Sequence, residues 1–447
     1  MTATPAVGLI SLGCAKNLVD SERLASALVA RGYRVSGSYD DADVVVVNTC
    51  GFINSARDES HQAISEALHA NGRVIVFGCL GAEREALLAA FPQVLAVHGP
   101  AMRASVLRSV ARAVGEPPIE ARQRVGLSGL RLTPRHYAYV KIAEGCSNRC
   151  TFCIIPTLRG PQVSRTPQAI LSECRDLIAR GTRELLIISQ DSSAYGSDLA
   201  DGQNLAALCR ELAGLGVWVR LHYVYPGPQA DHAVEQMAEG GILPYLDVPF
   251  QHASPRILKL MRRPHHLEHI QRSIERWRGL CPDLVIRSTF ITGFPGEEER
   301  DFELLLEFLR TAQLDRVGCF AYSPVQGAAA NELPGAVPAE VAEERRARLM
   351  GVQESISAAR LRRRVGSTCT LLIDDITEDG AALARSYGET PDADGIIALS
   401  GAAAAGLRAG AFVQARITGS TVHDLQAELL TAARLGPIHF KQASAPP

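Results

Sequence analysis

The feature that most constrains the fold is an alternation of strand and helix patterns, repeated six times between residues 132 and 364. Each apolar, β-branched run is followed by a helical segment, for example Thr166–Arg180 after the first run. The predicted strands are Tyr137–Ile142, Glu184–Ser189, Val217–Val224, Tyr245–Phe250, Val285–Thr292 and Arg316–Ser323. Alternating β and α units predict a parallel sheet. A closed β/α barrel requires eight units, so six units favour an incomplete barrel that is open at one side.

The stretch before this region, residues 6–125, predicts a separate α/β domain. It begins with three apolar runs, Val7–Leu12, Asp43–Val47 and Arg73–Phe77, with helical patterns between and after them. Short, nearly continuous β-branched runs separated by helices indicate parallel strands that are buried on both faces.

The stretch after it, residues 365–433, has a different pattern. Short strand-like runs follow one another with no helix between most of them, which predicts a small all-β barrel. These runs are Thr368–Asp374, Ala381–Arg385, Gly395–Leu399, Ala411–Thr418 and Leu425–Leu430. The last residues, 434–447, end in KQASAPP and are predicted to be disordered.

Composition excludes several classes of protein. The chain has 47% hydrophobic and 21% charged residues, as soluble globular proteins do, and no run has the ~20 mostly apolar residues of a membrane span. The N-terminus lacks the basic segment of a signal peptide, so we expect a cytoplasmic protein with no membrane partner. A net charge of −2 lacks the footprint of a dedicated nucleic-acid binder. Eleven cysteines in such a chain indicate metal or redox chemistry.

The strongest motif is the loop Cys146-Ser-Asn-Arg-Cys150-Thr-Phe-Cys153, directly after the first predicted core strand. Active sites of α/β barrels lie at this end of the strands. Three thiolates on one tight loop can bind one iron–sulfur cluster, and a cubane with three protein ligands keeps one iron free for a small molecule. A zinc knuckle is the alternative, but it requires a fourth Cys or His that the loop lacks.

A second cysteine set is spread through the first domain. Cys14, Cys50 and Cys79 each follow a predicted strand by a few residues. The carboxyl ends of parallel strands share one edge of the sheet, where such folds bind ligands. We therefore expect these cysteines to meet in space and to hold a second cluster. Three unrelated buried cysteines are the alternative.

The cysteine loop and its position resemble the radical S-adenosylmethionine (SAM) superfamily, in which the free iron binds the amino and carboxylate groups of SAM. This resemblance implies that Phe152, before the third cysteine, contacts the adenine. Nearly the whole chain resembles the methylthiotransferase family. That family would have a parallel-sheet α/β domain at 6–125, a partial (β/α)6 radical-SAM barrel at 132–364 and a TRAM-like β-barrel at 365–433.

Four strings resemble the branch of that family that modifies an aspartate of ribosomal protein S-twelve. They are SLGCAKNLVDSE at 11–22, KIAEGCSNRCTFCIIPTLRG at 141–160, PYLDVPFQHASPRILKLMRRP at 244–264 and TFITGFPGE at 289–297. The resemblance implies that two SAM molecules and two four-iron four-sulfur clusters replace a hydrogen on the aspartate β-carbon by S–CH3. A radical suits this reaction because no neighbouring group makes that C–H bond acidic enough. Methylthiolation of a transfer-RNA adenosine and a non-enzymatic iron–sulfur carrier stay open as alternatives.

Polar residues at the ends of predicted core strands are further candidates for cofactor contacts. Gln190 and Asp191 end the second strand, and Gln251 and His252 end the fourth. Hydrogen bonds to loop backbone would explain these residues equally well. The turn from Gly293 ends the fifth strand, where glycine lets the backbone approach a cofactor. The candidates for SAM contacts are Phe152, Gln190, Gln251, Gly293 and Glu297.

The charge of the last domain bears on the partner. Residues 365–430 contain nine acids and three arginines. Because phosphate contacts dominate affinity for RNA, an RNA contact is not favoured, whereas acids complement a basic ribosomal protein. Solubility alone would also explain this charge. We expect ribosomal protein S-twelve, free or in the small ribosomal subunit, as substrate. The sequence identifies neither the electron donor nor the sulfur donor.

Overall fold

The structure is a computed structural model that describes residues 4–122, 129–264, 266–399 and 406–431. In these ranges no helix is long and apolar enough to cross a membrane. The predicted disordered tail, 434–447, lies outside the described residues.

The N-terminal domain contains a five-stranded sheet. Its strands are β1 (Ala6–Ser11), β2 (Arg34–Ser36), β3 (Val44–Thr49), β4 (Val74–Gly78) and β5 (Ala96–His98). Its helices are α1 (Ala15–Ala30), α2 (Asn54–Ala70), α3 (Arg84–Ala90) and α4 (Arg103–Val114), with 3-10 turns at Leu80–Ala82 and Ile119–Ala121. The order is β2-β1-β3-β4-β5, and every adjacent pair is parallel. Alternate residues of β3 pack into two hydrophobic clusters, one on each face. The predicted buried parallel strands are confirmed.

The core domain contains a six-stranded sheet and a small two-stranded sheet. The strands are β6 (Tyr137–Lys141), β7 (Ala143–Glu144), β8 (Val163–Ser164), β9 (Glu184–Ile188), β10 (Trp218–Leu221), β11 (Tyr245–Asp247), β12 (Val285–Thr292) and β13 (Arg316–Ala321). The helices are α5 (Ile155–Arg159), α6 (Pro167–Ala179), α7 (Leu205–Ala213), α8 (Pro228–Ala238), α9 (Pro255–Leu260), α10 (Leu267–Leu280), α11 (Glu299–Ala312) and α12 (Ala339–Arg362), with a 3-10 turn at Ala329–Glu332.

The six-stranded sheet is the open barrel that the sequence predicts. Its order is β13-β12-β11-β10-β9-β6, with all neighbours parallel, and among the described residues no ladder joins β6 to β13. The edge strand β6 instead packs against α1 of the N-terminal domain. The partial (β/α)6 barrel is therefore confirmed.

β10 and β11 each end three residues earlier than predicted, and three other core strands end one or two residues early. β10 ends at Leu221, shortly before Tyr223, which has φ 59°, and the segment that follows β11 contains Gln251, which has φ 73°. A positive φ at a non-glycine residue interrupts an extended backbone. The apolar residues at the predicted ends of these two strands therefore lie in loops at the carboxyl edge of the sheet.

The C-terminal domain is a closed five-stranded barrel, as predicted. Its strands are β14 (Thr368–Ile376), β15 (Ala382–Arg385), β16 (Ile397–Leu399), β17 (Phe412–Ser420) and β18 (Leu425–Thr431), in the order β14-β15-β16-β18-β17. The barrel docks at the amino ends of the core strands. There the buried Glu184 of β9 pairs with Arg220 of the core at 2.8 Å and with Arg385 of the barrel at 2.6 Å. The barrel therefore lies at the end of the core sheet opposite to the cysteine loop.

Several barrel acids are used in this interface, which corrects the charge argument made from sequence. Glu389 is 1% exposed and pairs with Arg316 and Arg364. Asp374 pairs with Arg385 inside the barrel and lies 2.8 Å from the Nε2 of His136 in the core domain. The acids that are exposed are Asp375, Glu378, Asp379, Asp392 and Glu428. The sequence count of nine acids thus overstates the negative charge that the barrel offers to a partner.

Candidate functional site

The cysteine loop lies beyond β6 and β7, at the carboxyl edge of the core sheet. The backbone N–H of Cys146 donates to the carbonyl of Gly160 at 3.1 Å, which closes the loop. Gly145 has φ 73°, and a Cβ at this position would lie 2.1 Å from the carbonyl oxygen of Pro161. Only glycine fits there. The local sequence thus forms the tight loop that its cysteine spacing predicts.

The thiols of this loop are close enough to affect one another. Burial raises the pKa of Cys146, and the charges of Asp191 and Cys150 raise it further. Burial also raises the pKa of Cys153 to about 12, and Cys150 and Cys146 add to that increase. Arg263 lies beside them, with its Nη1 3.9 Å from the Cys150 Sγ. Because the thiolate is the metal ligand, metal binding here must displace protons.

The second cysteine set lies at the edge of the N-terminal sheet. Cys14, Cys50 and Cys79 follow β1, β3 and β4, which are adjacent strands. Burial raises the pKa of Cys50, and the charge of Cys14 adds to it; burial raises the pKa of Cys79 to about 11, with contributions from both other cysteines. A Cβ on Gly13, which has φ 86°, would lie 3.1 Å from the Cys50 Sγ. The structure therefore brings together the three cysteines, as the sheet topology predicts.

Cys14 differs from its two neighbours. Cys50 and Cys79 are buried, whereas the Cys14 side chain is accessible to solvent. Partial removal of water by the surrounding protein would raise the pKa of the Cys14 thiol. The charge of Lys16 and a hydrogen bond from the backbone N–H of Asn17 outweigh this effect, so the pKa is lowered. Protein surrounds the Cys14 thiol, yet solvent reaches it. Cys14 therefore lines a concave site.

Arg159, the last residue of α5, connects the N-terminal cysteine set to the core domain. Its Nε donates to the Cys79 Sγ at 3.1 Å, and its Nη1 pairs with Glu144 at 2.6 Å and with Asp20 of α1 at 3.2 Å. Lys141 pairs with the same two carboxylates. Burial would raise the pKa of Glu144, but Lys141 and Arg159 lower it to about 2. This buried network joins the N-terminal domain to the cysteine-loop side of the core.

Gln190 and Asp191 lie just beyond β9, next to the cysteine loop. The Asp191 carboxylate accepts a hydrogen bond of 2.7 Å from the side chain of Asn148, inside the loop. The Gln190 Nε2 is 3.4 Å from Glu144, and its Oε1 is buried without a hydrogen-bond partner among the described residues. Asp191 therefore orients the loop, and the Gln190 Oε1 is an acceptor without a partner among the described residues. Contact of Gln190 with SAM stays a prediction.

Gln251 and Phe152 are placed differently from each other. The backbone of Gln251 is held at φ 73° by bonds to Thr289 and Ile291 of 2.9 and 2.8 Å. Its side chain makes no hydrogen bond to the described residues, so it remains available. Phe152 packs against an apolar cluster that includes Met261 and Phe294. Contacts of either side chain with SAM stay predictions.

The Glu297 carboxylate is fully occupied by protein groups. It accepts from the backbone N–H of Gly293 at 3.0 Å and pairs with Arg345 at 2.7 Å, and the His252 ring lies 3.3 Å away. Gly293 has φ 73°, and a Cβ there would lie 2.1 Å from the Cβ of Ala342. Glu297 therefore holds the turn, and glycine is required in that turn by its contact with α12. Direct contacts of Gly293 and Glu297 with a cofactor stay predictions.

The donor chemistry fits iron–sulfur clusters better than single ions. Among the described residues, no three His, Cys, Asp or Glu side chains are arranged to hold one metal ion. A cubane makes a different demand, because three thiolates bind three separate irons of one cluster. Each cysteine set supplies three neighbouring thiols for that purpose. The assignment of the six cysteines as ligands stays a prediction.

Three family profiles match the chain in succession. "Uncharacterized protein family UPF0004" matches residues 6–99, the radical SAM superfamily matches residues 140–309, and the TRAM domain matches residues 365–430. They fall on the N-terminal domain, the open barrel and the closed barrel, respectively.

Curated relatives match the chain over nearly its whole length. The "Ribosomal protein uS12 methylthiotransferase RimO" of Azoarcus sp. is 56% identical, covering 95% of this chain and 97% of its own. The protein of that name from Chromobacterium violaceum is 51% identical, covering 96% and 100%. The chain belongs to the RimO family. It is therefore a radical SAM methylthiotransferase, and its cofactors are SAM and four-iron four-sulfur clusters.

Solved structures share the fold. The radical SAM methyltransferase TsrM of Kitasatospora setae, with cobalamin and a four-iron four-sulfur cluster, superposes with a TM-score of 0.53 at 15% identity. That match covers 72% of this chain and 77% of TsrM. TsrM with tryptophan and a SAM analogue gives a TM-score of 0.53 at 16% identity, covering 72% and 75%. At such identities the likeness concerns the fold alone.

Sequence reasoning missed three basic residues around the RimO-family site: Lys16, Arg159 and Arg263. Lys16 follows a candidate ligand by two residues, and Arg159 follows the cysteine loop by six. A basic residue beside a cysteine motif was the available signal. Their partners lie on other elements, however, so the sequence pattern alone did not reveal their positions.

Proposed function

We propose that this enzyme methylthiolates the β-carbon of an aspartate in ribosomal protein uS12. The names of relatives that cover 95% of the chain support this substrate. The observation that carries the chemistry is the placement of two three-cysteine sets on two domains that Arg159 joins. Since ribosomal proteins are made in the cytoplasm, the reaction belongs there.

Each cysteine set has a separate task in this proposal. Cys146, Cys150 and Cys153 would hold the cluster that binds SAM, and Cys14, Cys50 and Cys79 would hold a second cluster. When bound, these groups would supply the radical that removes the substrate hydrogen, together with the sulfur and the methyl group of the S–CH3 product.

The residues of the chain position and shield these groups. Cys50, Cys79 and Cys146 are each at most 8% exposed, so little water reaches their sulfurs. Asp191 fixes the cysteine loop through Asn148, and the Arg159 network fixes the N-terminal domain against it. Shielding matters because a carbon radical reacts with other species unless the site excludes them.

The test uses the anaerobically reconstituted enzyme, which should bind about eight irons if both sets carry cubanes. It is incubated with SAM, a reductant and sulfide, together with either purified uS12 or unmodified transfer RNA. We expect uS12 to gain the mass of S–CH3 in place of H, with the change on one aspartate in tandem mass spectrometry. Methylthiolated transfer RNA with unmodified uS12 would contradict the proposed substrate.

A further inference from the structure

Lys16 is a buried cation without an anionic partner. It lies at the start of α1 and is only 9% exposed. Its ammonium sits over the ring of Tyr223, 3.1 Å from the ring centroid. Among the described residues no carboxylate pairs with it and no acceptor hydrogen-bonds to it. The other buried lysine of the site, Lys141, pairs with both Asp20 and Glu144.

This arrangement is energetically unusual. Burying an ammonium is unfavourable unless a charge or hydrogen-bond acceptor compensates it. A contact with an aromatic face compensates only in part. A buried cation that has no anionic partner in the protein is therefore suited to bind an anionic group of a ligand.

The position of Lys16 places it where the two domains meet. Its neighbour Cys14 belongs to the N-terminal cysteine set, and the Lys16 charge lowers the pKa of that thiol. Its ring partner Tyr223 follows β10 at the carboxyl edge of the core sheet. There the backbone N–H of Tyr223 bonds to the Asp247 carboxylate at 3.2 Å, and the Tyr223 carbonyl accepts from Ser192 at 2.9 Å.

The same loop leads to the other cysteine set. Tyr225, two residues after Tyr223, carries Arg263 over its ring at 3.7 Å. Arg263 in turn lies 3.9 Å from the Cys150 Sγ. Lys16 therefore belongs to a series of neighbouring residues, Tyr223, Tyr225 and Arg263, that leads from Cys14 to Cys150.

Two other cations near the cysteine sets already have partners. Arg159 pairs with Asp20 and Glu144 and donates to Cys79. Arg263 stacks on Tyr225 and donates to the carbonyl of Pro249. Of these three cations, Lys16 is the one with no ion-pair or hydrogen-bond partner among the described residues, so it can take a new carboxylate.

We propose that Lys16 binds the carboxylate of the target aspartate and selects that acidic side chain over a neutral one. This inference rests on the proposed function, in which the reacting β-carbon is bonded to that carboxylate. A carboxylate that leaves water to enter the site needs a charged hydrogen-bond donor. Binding it at Lys16 also keeps the adjacent carbon between the two cysteine sets.

The test compares two substrates with matched enzyme variants. The substrates are uS12 and uS12 in which Asn replaces the target aspartate, which preserves shape and removes charge. The variants are Lys16→Met, Lys16→Arg and the control Lys259→Met, whose lysine is exposed on α9. Each enzyme is reconstituted, its iron content is measured, and kcat/KM and the dissociation constant are determined for both substrates.

We expect the parent and Lys259→Met to prefer the aspartate substrate by about 10- to 100-fold, the range for a hydrogen bond to a charged group. In Lys16→Met this preference should disappear, because activity on aspartate falls while activity on asparagine does not. Lys16→Arg should retain a preference, since it keeps the charge. The iron content should be equal in all variants.

Two results would overturn the assignment while leaving the proposed function intact. One is a parent enzyme that modifies uS12 without preferring aspartate, which needs no variant to detect. The other is an undiminished preference in Lys16→Met; a shifted cluster reduction potential in that variant would then make Lys16 a counter-charge to the cluster. Absence of any uS12 modification by the parent would instead refute the proposed function.

Discussion

Replacing Arg159 by Met should weaken the attachment of the N-terminal domain to the core. The change removes the guanidinium that pairs with Asp20 and Glu144 and donates to Cys79. Lowering the pKa of Glu144 from 4.5 to about 2 corresponds to about 3 kcal/mol, part of which comes from Lys141. Removing one partner of a buried ion pair costs about 3–5 kcal/mol. We therefore expect the free energy of unfolding to fall by about 3 kcal/mol.

The assay is urea unfolding of the reconstituted protein under anaerobic conditions, followed by fluorescence. For a slope of about 3 kcal/mol per molar urea, the midpoint should fall by about 1 M. Arg346→Met is the matched control, because Arg346 pairs only with the exposed Glu343 on its own helix among the residues that the structure describes. That exposed pair contributes about 0–1 kcal/mol. The urea midpoint of Arg159→Lys should lie between those of Arg159→Met and Arg346→Met, since lysine keeps the charge but not the forked geometry of the guanidinium.

The sign of the pH dependence follows from Glu144. Its folded pKa is depressed, so its contribution is present above the unfolded value of 4.5 and is lost as pH falls towards 2. The deficit of Arg159→Met should therefore be the same at about pH 8 and about pH 6. Equal midpoints for Arg159→Met and Arg346→Met would refute the role of this network.

Two further substitutions test other parts of the account. Replacing the exposed Asp375, Glu378 and Asp379 by Lys should slow association with basic uS12, most at low salt; stopped-flow binding over a salt series measures this, and unchanged rates would remove the electrostatic argument. Gly293→Ala should lower the free energy of unfolding in urea by about 1–3 kcal/mol, because its Cβ would lie 2.1 Å from the Cβ of Ala342 in α12 and its φ is positive. Gly351→Ala, where a Cβ meets nothing within 4 Å, should not destabilise the protein, and equal losses would contradict the steric explanation.

The sequence predicted those features that depend on local pattern or on strand direction. Hydrophobic runs located the core strands, and their number predicted the open barrel. The meeting of Cys14, Cys50 and Cys79 followed from topology, because parallel strands place their carboxyl ends at one edge. None of these inferences needed knowledge of a distant contact.

Features that depend on pairing between distant elements could not be predicted. Arg159 pairs with Asp20, which is 139 residues away in the sequence. The local sequence around either residue does not indicate the other as its partner. The exposure of the barrel acids was overestimated for the same reason. The sequence around Glu389 predicts a surface residue, because it does not show the ion pair with Arg316. The ion pair of Glu297 with Arg345 was missed for the same reason, because Arg345 follows 48 residues later.

The most direct test of the central claim separates the two cysteine sets. Each set is replaced by Ala in a triple variant, and iron, 5′-deoxyadenosine and the intact mass of uS12 are measured under anaerobic conditions. Both variants should bind about half of the parent iron. The variant lacking Cys146, Cys150 and Cys153 should form no 5′-deoxyadenosine, whereas the variant lacking Cys14, Cys50 and Cys79 should still cleave SAM but yield no methylthiolated uS12. Methylthiolated uS12 at the parent rate from the latter variant would contradict the account.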